Sequence, residues 1–148
     1  MNIEKATLSD LEELNELFDR YRVFYGKSSD KETGKIFLKE RIANNESVIF
    51  ISRNEEGVAT GFVQLYPLFS STRMKRFWML NDLYVNSDFR GQGFSKALIE
   101  KSKELCRKTE ACGMMLETAK DNHVGNQLYS ATGWDLDKDH NYYTWDVE

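Results

Sequence analysis

Apolar residues recur at three-and-four spacing through Leu11, Leu14, Leu17, Phe18, Tyr21 and Phe24/Tyr25, which predicts one amphipathic helix. Ser9 followed by Glu12 has the form of a capping box and places the helix start, and Gly26 ends it. A second helix is predicted from Asp30 to about Asn44, using Ile36, Phe37, Leu38 and Ile42. The period then changes. Residues 47–52, SVIFIS, form a β-branched strand, and Asn54-Glu55-Glu56-Gly57 is a hairpin turn into a strand over 58–69. Pro67, the only proline, falls inside that strand and predicts an edge or a bulge.

A strand at about 74–85 follows, then a long helix from about Gly91 to Ala111 and a strand at Met114–Thr118. A helix over about 122–132 meets Gly133 at its C-cap position. Trp134–Leu136 and Tyr142–Val147 are predicted as two short closing strands, and residues 2–6 as the opening one. The order β-α-α-β-β-β-α-β-α-β-β predicts an α/β (α+β) fold whose sheet is mixed, because hairpins join its middle strands. No repeat, low-complexity segment or linker interrupts the chain, so residues 1–148 are expected to form a single domain.

Composition narrows the functional classes. A hydrophobic content of 41% suits a packed chain rather than a disordered one. The net charge of −4 speaks against a nucleic-acid partner and is compatible with a cationic small substrate. No apolar run approaches the ~18 residues of a membrane span, and MNIEKATLSD lacks the form of a signal peptide. A soluble cytoplasmic protein without a membrane partner is the expectation. Cys106 and Cys112 stand six apart, on different faces of one helical segment, so neither a redox pair nor a zinc pair is expected. His123 and His140 have no clustered partners, and no metal is expected.

The stretch NDLYVNSDFRGQGFSKALIE, residues 81–100, carries the most chemistry. A strand breaks at Asn86-Ser87-Asp88, passes through Arg90-Gly91-Gln92-Gly93, and resumes as a helix. A helix N-terminus offers unpaired N–H groups and about half a positive charge, which suits phosphate. Glycines there let a ligand approach the backbone, and an arginine adds a donor fork. The segment lacks the Gly-Lys-Ser/Thr ending of a P-loop and the third glycine of a dinucleotide fingerprint. On spacing alone, a pyrophosphate cradle and a simple tight turn both remain open.

Arg90-Gly91-Gln92-Gly93-Phe94-Ser95 resembles the Q/R-x-x-G-x-G/A signature of the GNAT superfamily of N-acetyltransferases, with Ser95 in place of the usual Gly or Ala. Asn122-His123-Val124-Gly125-Asn126-Gln127-Leu128-Tyr129 is similar to that family's N-x-x-A-x-x-x-Y helix, with Gly125 in the alanine position. Around LNDLYVNSDFRGQG the chain resembles the spermidine/spermine (diamine) acetyltransferase branch. The resemblance implies a mixed, mostly antiparallel sheet of about seven strands flanked by about four helices, with a splayed strand pair opening a cleft for acetyl-CoA. It also implies that Leu83, Tyr84 and Val85 pair with the pantetheine through their backbone. Arg90, Gly91, Gln92, Gly93, Phe94, Ser95 and Lys96 would hold the pyrophosphate, and Asn122 and Tyr129 would contact the cofactor further along. A homodimer is expected, since dimers are common in the family.

Amine acetylation needs a neutral amine, and a lysine-like amine of pKa ≈ 10.4 is neutral in only about one molecule in 2,500 at pH 7, an offset of roughly 4.6 kcal/mol. A proton acceptor for the amine and a donor for the departing thiolate are therefore both useful. By its match to the family's tyrosine, Tyr129 is the expected donor; the bare alternative is a core tyrosine whose hydroxyl reaches the surface. The spermidine/spermine branch carries Glu-Asp where this chain has Asn81-Asp82, so the glutamate position holds a residue that takes no proton. Asp82, on a regular strand pointing away from Asn81, is the remaining candidate base and amine partner, or else a structural carboxylate. Tyr21 and Tyr25, beside Phe24, are either core or substrate-side residues whose aromatic faces attract an ammonium group.

The expected activity is direct transfer of acetyl from acetyl-CoA to a primary amine of a polyamine-like acceptor within a ternary complex, with Asn81 also near the acceptor. The rivals are a protein lysine or N-terminal acetyltransferase, and a catalytically weak CoA-binding regulatory protein.

Overall fold

The β-branched run predicted at 47–52 forms β2 (Val48–Arg53), sandwiched between β1 (Asn2–Lys5) and β3 (Ala59–Ser70), both antiparallel to it. β4 (Lys75–Val85) returns antiparallel to β3, and the two-residue β5 (Met114–Met115) lies parallel to β4. The sheet order is β1-β2-β3-β4-β5. The helices are α1 (Leu11–Phe24), α2 (Lys31–Ala43), α3 (Phe94–Lys108) and α4 (His123–Ala131). The computed structural model describes residues 1–148, which divide into two compact units, Met1–Glu117 and Thr118–Glu148.

Side-chain alternation along the strands assigns each helix its face. Ile49, Ile51, Phe62 and Tyr84 point to one side, where α1 buries Leu14, Leu17 and Phe18 and α2 buries Leu38 in the same cluster. Phe50 and Val63 point to the other side, and α3 packs across β2, β3 and β4 there with Leu98 and Ile99 fully buried. Each such aliphatic side chain contributes about 1.5–3 kcal/mol by leaving water. α1 and α2 approach closely at Gly34, where an added Cβ would lie 2.8 Å from Asn15 Oδ1.

The helix starts differ in detail from expectation. A 3-10 turn over Leu8–Asp10 precedes α1, and the N–H of Thr7 donates to the Asp10 carboxylate at 2.9 Å, so the cap sits two residues upstream of Ser9. α2 starts as predicted, with the Asp30 carboxylate accepting from the Thr33 amide. Ile36, predicted to face the core, is exposed. Pro67 lies past Leu65, the last β3 residue paired with β2, so β3 has a neighbour on one side only at that point.

Seven strands were expected and five form. The strand expected at Met114–Thr118 is reduced to Met114 and Met115, which pair with Trp78 and Met79, and neither Trp134–Leu136 nor Tyr142–Val147 forms a strand. The tail has a strand's pattern, but a strand exists only where its backbone groups find a second strand, and the sheet is made of β1 to β5 alone.

Candidate active site

A bulge decides where the candidate base points. Gln64 pairs with Asp82 and Leu65 pairs with Leu80, leaving Asn81 without a cross-strand partner. Gln64 and Leu65 are neighbours and face opposite ways. Leu80 and Asp82, two residues apart, therefore also face opposite ways, where a regular strand would align them. The bulge turns Asp82 to the side of Phe62, Tyr84 and α1. It also brings adjacent side chains together: the Asn81 Nδ2 amide donates to Asp82 Oδ1 at 2.9 Å. The expectation that these two side chains point apart is corrected by the extra residue.

Asp82 is 4% exposed and fully bonded. Gln64 Nε2 donates to its Oδ2 at 2.6 Å, and Gln64 Oε1 accepts from the hydroxyl of Ser47 at 2.9 Å. The Tyr21 side chain supplies a further hydrogen bond. Burial pushes the Asp82 carboxyl above the ordinary value of 3.8, against the opposing pull of the bonds from Gln64, Tyr21 and Asn81. The effect spreads to its neighbours. Tyr66 is pushed up to about 12, first by burial and then by the Asp82 charge, and Tyr25 is raised by the same two causes.

Of the two candidate substrate-side tyrosines, Tyr21 packs against the core cluster and Tyr25 is half exposed. Tyr21 meets Phe62 and Tyr25 edge-on, with ring centroids 5.8 and 5.0 Å apart, and Phe24 continues the group to Tyr84 at 6.4 Å. Phe24 and Tyr25 keep about half their surface in solvent, so the aromatic group opens outward from Asp82. The guanidinium of Arg90 lies over Phe24 and Tyr84, 5.4 and 5.7 Å from their centroids, and its Nε donates to the Val85 carbonyl at 3.0 Å. Arg90 ties the glycine loop to the end of β4. Gln64, Ser47 and Tyr66 were missed in the sequence, although one glutamine inside the apolar run GFVQLYPLF was the available signal.

The pairing of β4 with β5 stops at Met79–Met115, while β4 runs on through Leu83, Tyr84 and Val85. Past Met79 the outer edge of β4 has no strand beside it. A 3-10 turn over Ser87–Phe89 leads into the loop, and α3 begins at Phe94 rather than at Gly91. Gly91 and Gly93 have φ of +76° and +87°, a left-handed backbone that explains both glycines. An added Cβ would meet nothing within 4 Å at Gly91 and only the Met1 methyl, at 3.9 Å, at Gly93. The first intrahelical bond of α3 runs from the Ala97 amide to the Gly93 carbonyl, so the amides of Phe94, Ser95 and Lys96 have no helical acceptor. Open space over unspent donors fits a diphosphate. Gln92 and Lys96 are exposed beside it.

In the second unit, Asn122 caps α4. Its Oδ1 accepts from the Gly125 amide at 3.1 Å and its Nδ2 donates to Thr118 Oγ1 at 2.9 Å. A Cβ on residue 125 would fall 2.5 Å from Asn122 Nδ2, which accounts for glycine where the family signature has alanine. Tyr129 sits on the last turn of α4, its ring edge-on to Trp134 at 5.9 Å, and its carbonyl accepts from the Trp134 amide. Cys106 is buried and burial pushes its thiol up to about 11. No group of three or more His, Cys, Asp or Glu side chains is arranged to hold a metal ion.

The acetyltransferase (GNAT) family profile matches residues 11–134. The uncharacterized N-acetyltransferase YhfO of Bacillus subtilis is 40% identical over 137 residues, 93% of this chain and 91% of that protein. A probable acetyltransferase of Haemophilus influenzae is 34% identical over 123 residues, 83% of this chain and 84% of that protein. The crystal structure of a probable acetyltransferase superposes with a TM-score of 0.96 at 39% identity, covering 100% of this chain and 99% of that one. The chain belongs to the GNAT family and is an acetyl-CoA-dependent N-acetyltransferase.

Proposed function

We propose that this acetyltransferase acts on a primary amine of a small cationic, polyamine-like acceptor, by direct attack in a ternary complex, with Asp82 as proton acceptor. The observation that carries the reading is a buried carboxylate at the inner end of an aromatic group that opens to solvent through Phe24 and Tyr25. An ammonium group is attracted by aromatic faces and by the carboxylate behind them. Burial raises the proton affinity of Asp82 and so narrows the gap to the amine, each unit of narrowing being worth about 1.4 kcal/mol. Asn81, beside it and exposed, offers the acceptor a further polar group.

Acetyl-CoA supplies the acetyl group as an activated thioester. The amides at the start of α3, with Gly91, Gln92, Gly93 and the guanidinium of Arg90, hold its diphosphate, and the free edge of β4 at Leu83–Val85 takes the pantetheine. Asn122 and Tyr129 belong to the cofactor side by their match to the family helix, and Tyr129 holds the phenol proton for the departing sulfur. The positive φ at both loop glycines and the open space above them support this assignment. The protein is read as a cytoplasmic homodimer, most similar in mode to the spermidine/spermine branch.

A CoA-binding regulatory role is the second reading, favoured by one observation: the glutamate position of that branch holds Asn81. An acetyl-CoA-dependent screen for thiol release across polyamines, aminoglycosides, amino acids and basic peptides tests both. Release with polyamines is the expected result. Coenzyme binding without release on any amine supports the regulatory role, and release on basic peptides alone moves the acceptor class to proteins.

A further inference from the structure

We propose that the Tyr21 hydroxyl is a catalytic proton relay, taking a proton from the acceptor amine and passing its own to Asp82. The relay rests on the proposed role of Asp82 as proton acceptor, and it explains how a carboxylate with so little exposed surface serves an amine. Asp82 is buried, and three side chains donate to it: Gln64 Nε2 at 2.6 Å, Asn81 Nδ2 at 2.9 Å, and the hydroxyl of Tyr21. Tyr25 and Tyr66 sense its charge without being among those donors. An incoming amine therefore meets a donor before it meets the carboxylate.

One of the three donors suits proton transfer. Gln64 is fully buried, and its carbonyl oxygen is taken up by Ser47. Asn81 reaches solvent, but a side-chain amide neither gains nor loses a proton near neutral pH. A phenol hydroxyl both donates and accepts. With its O–H directed at Asp82, Tyr21 presents an oxygen acceptor, the complement of an ammonium group, which has donors only.

The fold holds Tyr21 between the carboxylate and the open end of the aromatic group. Its ring packs against the core cluster, edge-on to Phe62 at 5.8 Å and 6.4 Å from Tyr84, the pair that face each other across β3 and β4. Tyr25, one helical turn on and half exposed, meets it at 5.0 Å. In the relay the ammonium gives one proton to Tyr21 Oη as the Tyr21 proton passes to Asp82, so neither a phenolate nor a protonated phenol forms. The neutral nitrogen then bonds the thioester carbon and the C–S bond breaks. The second nitrogen proton replaces the one taken up by the departing sulfur, and Asp82 returns its proton to solvent by the reverse route.

The test is single-turnover thiol release from acetyl-CoA with spermidine, in mixtures of light and heavy water, by the wild type, Tyr21→Phe and Asp82→Asn. The wild-type rate is expected to fall along a curve as deuterium rises, because two protons move together. Tyr21→Phe keeps the ring among Phe62, Tyr84 and Tyr25, so circular dichroism and coenzyme A affinity should match the wild type. Its rate should be about 10²-fold lower, at an unchanged half-saturating spermidine concentration and with a straight deuterium dependence. Wild-type speed or a curved dependence in Tyr21→Phe, beside a slow Asp82→Asn, overturns the relay and leaves Asp82 as the base. A straight wild-type dependence overturns the relay whatever the variant does. An Asp82→Asn as fast as the wild type, or a wild type that releases no thiol with spermidine, overturns the relay together with the reading beneath it.

Discussion

Gln64 Nε2 donates to Asp82 Oδ2 at 2.6 Å, inside a part of the sheet from which water is excluded. The amide is itself oriented by Ser47, whose hydroxyl occupies Gln64 Oε1. The carboxylate is therefore aimed by a chain of buried side chains rather than by solvent. Gln64 is a positioning residue for the proposed base.

This contact lowers the proton affinity of Asp82 against the larger effect of burial. Gln64→Leu removes a donor to the ionised form, so the carboxyl rises further above 3.8. The acid limb of kcat/KM should then move to higher pH, with turnover at neutral pH reduced by about tenfold as the carboxylate loses its orientation. Ser47→Ala should move the limb the same way by less. A limb that stays in place in both variants contradicts the positioning role.

Asp82 also makes a stability prediction of definite sign. Its pKa in the folded state is raised, so the folded chain holds this proton more tightly than the unfolded chain. That contribution is fully present below the ordinary value of 3.8 and is lost as pH rises through the raised value. Asp82→Asn should therefore have a higher Tm than the wild type at pH 7, and the gap should close as the pH falls toward 3.8. Thermal melts of the two proteins at several pH values check this.

Gly93 is fixed by its backbone, at φ +87° in the cap position of α3. Gly93→Val places a β-branched residue where left-handed backbone costs about 1–2 kcal/mol, and displaces the amides ahead of Ala97. Coenzyme A affinity measured by calorimetry should fall about tenfold or more, since 1.4 kcal/mol is a factor of ten. The fold should survive, because the loop is exposed.

Tyr129→Phe removes a proton donor and leaves the ring against Trp134. Turnover should fall by about 10²-fold, the low end of general-acid contributions, with coenzyme affinity nearly unchanged. Equal turnover in the two proteins would take Tyr129 out of the mechanism.

Most of the element order was legible because each helix and hairpin carries its own local signal: the three-and-four spacing of α1, the Asp30 cap of α2, the Asn54–Gly57 turn. The Gly91–Gly93 loop was legible for the same reason. What stayed hidden depends on partners distant in sequence. Alternation alone cannot place Asp82, because the bulge at Asn81 is visible only in the register of β4 against β3. Gln64 and Ser47 join the site through pairing across β2, β3 and β4. The tail reads as strand from its own residues, but a strand also needs the backbone of a second one, and the sheet forms from β1 to β5 alone.

The most direct test of the account is the pH dependence of polyamine-stimulated thiol release by the wild type and by Asp82→Asn. The account predicts a wild-type acid limb above 3.8, and a variant about 10²–10⁴-fold slower in which that limb is absent. Two profiles of the same shape and height would contradict it.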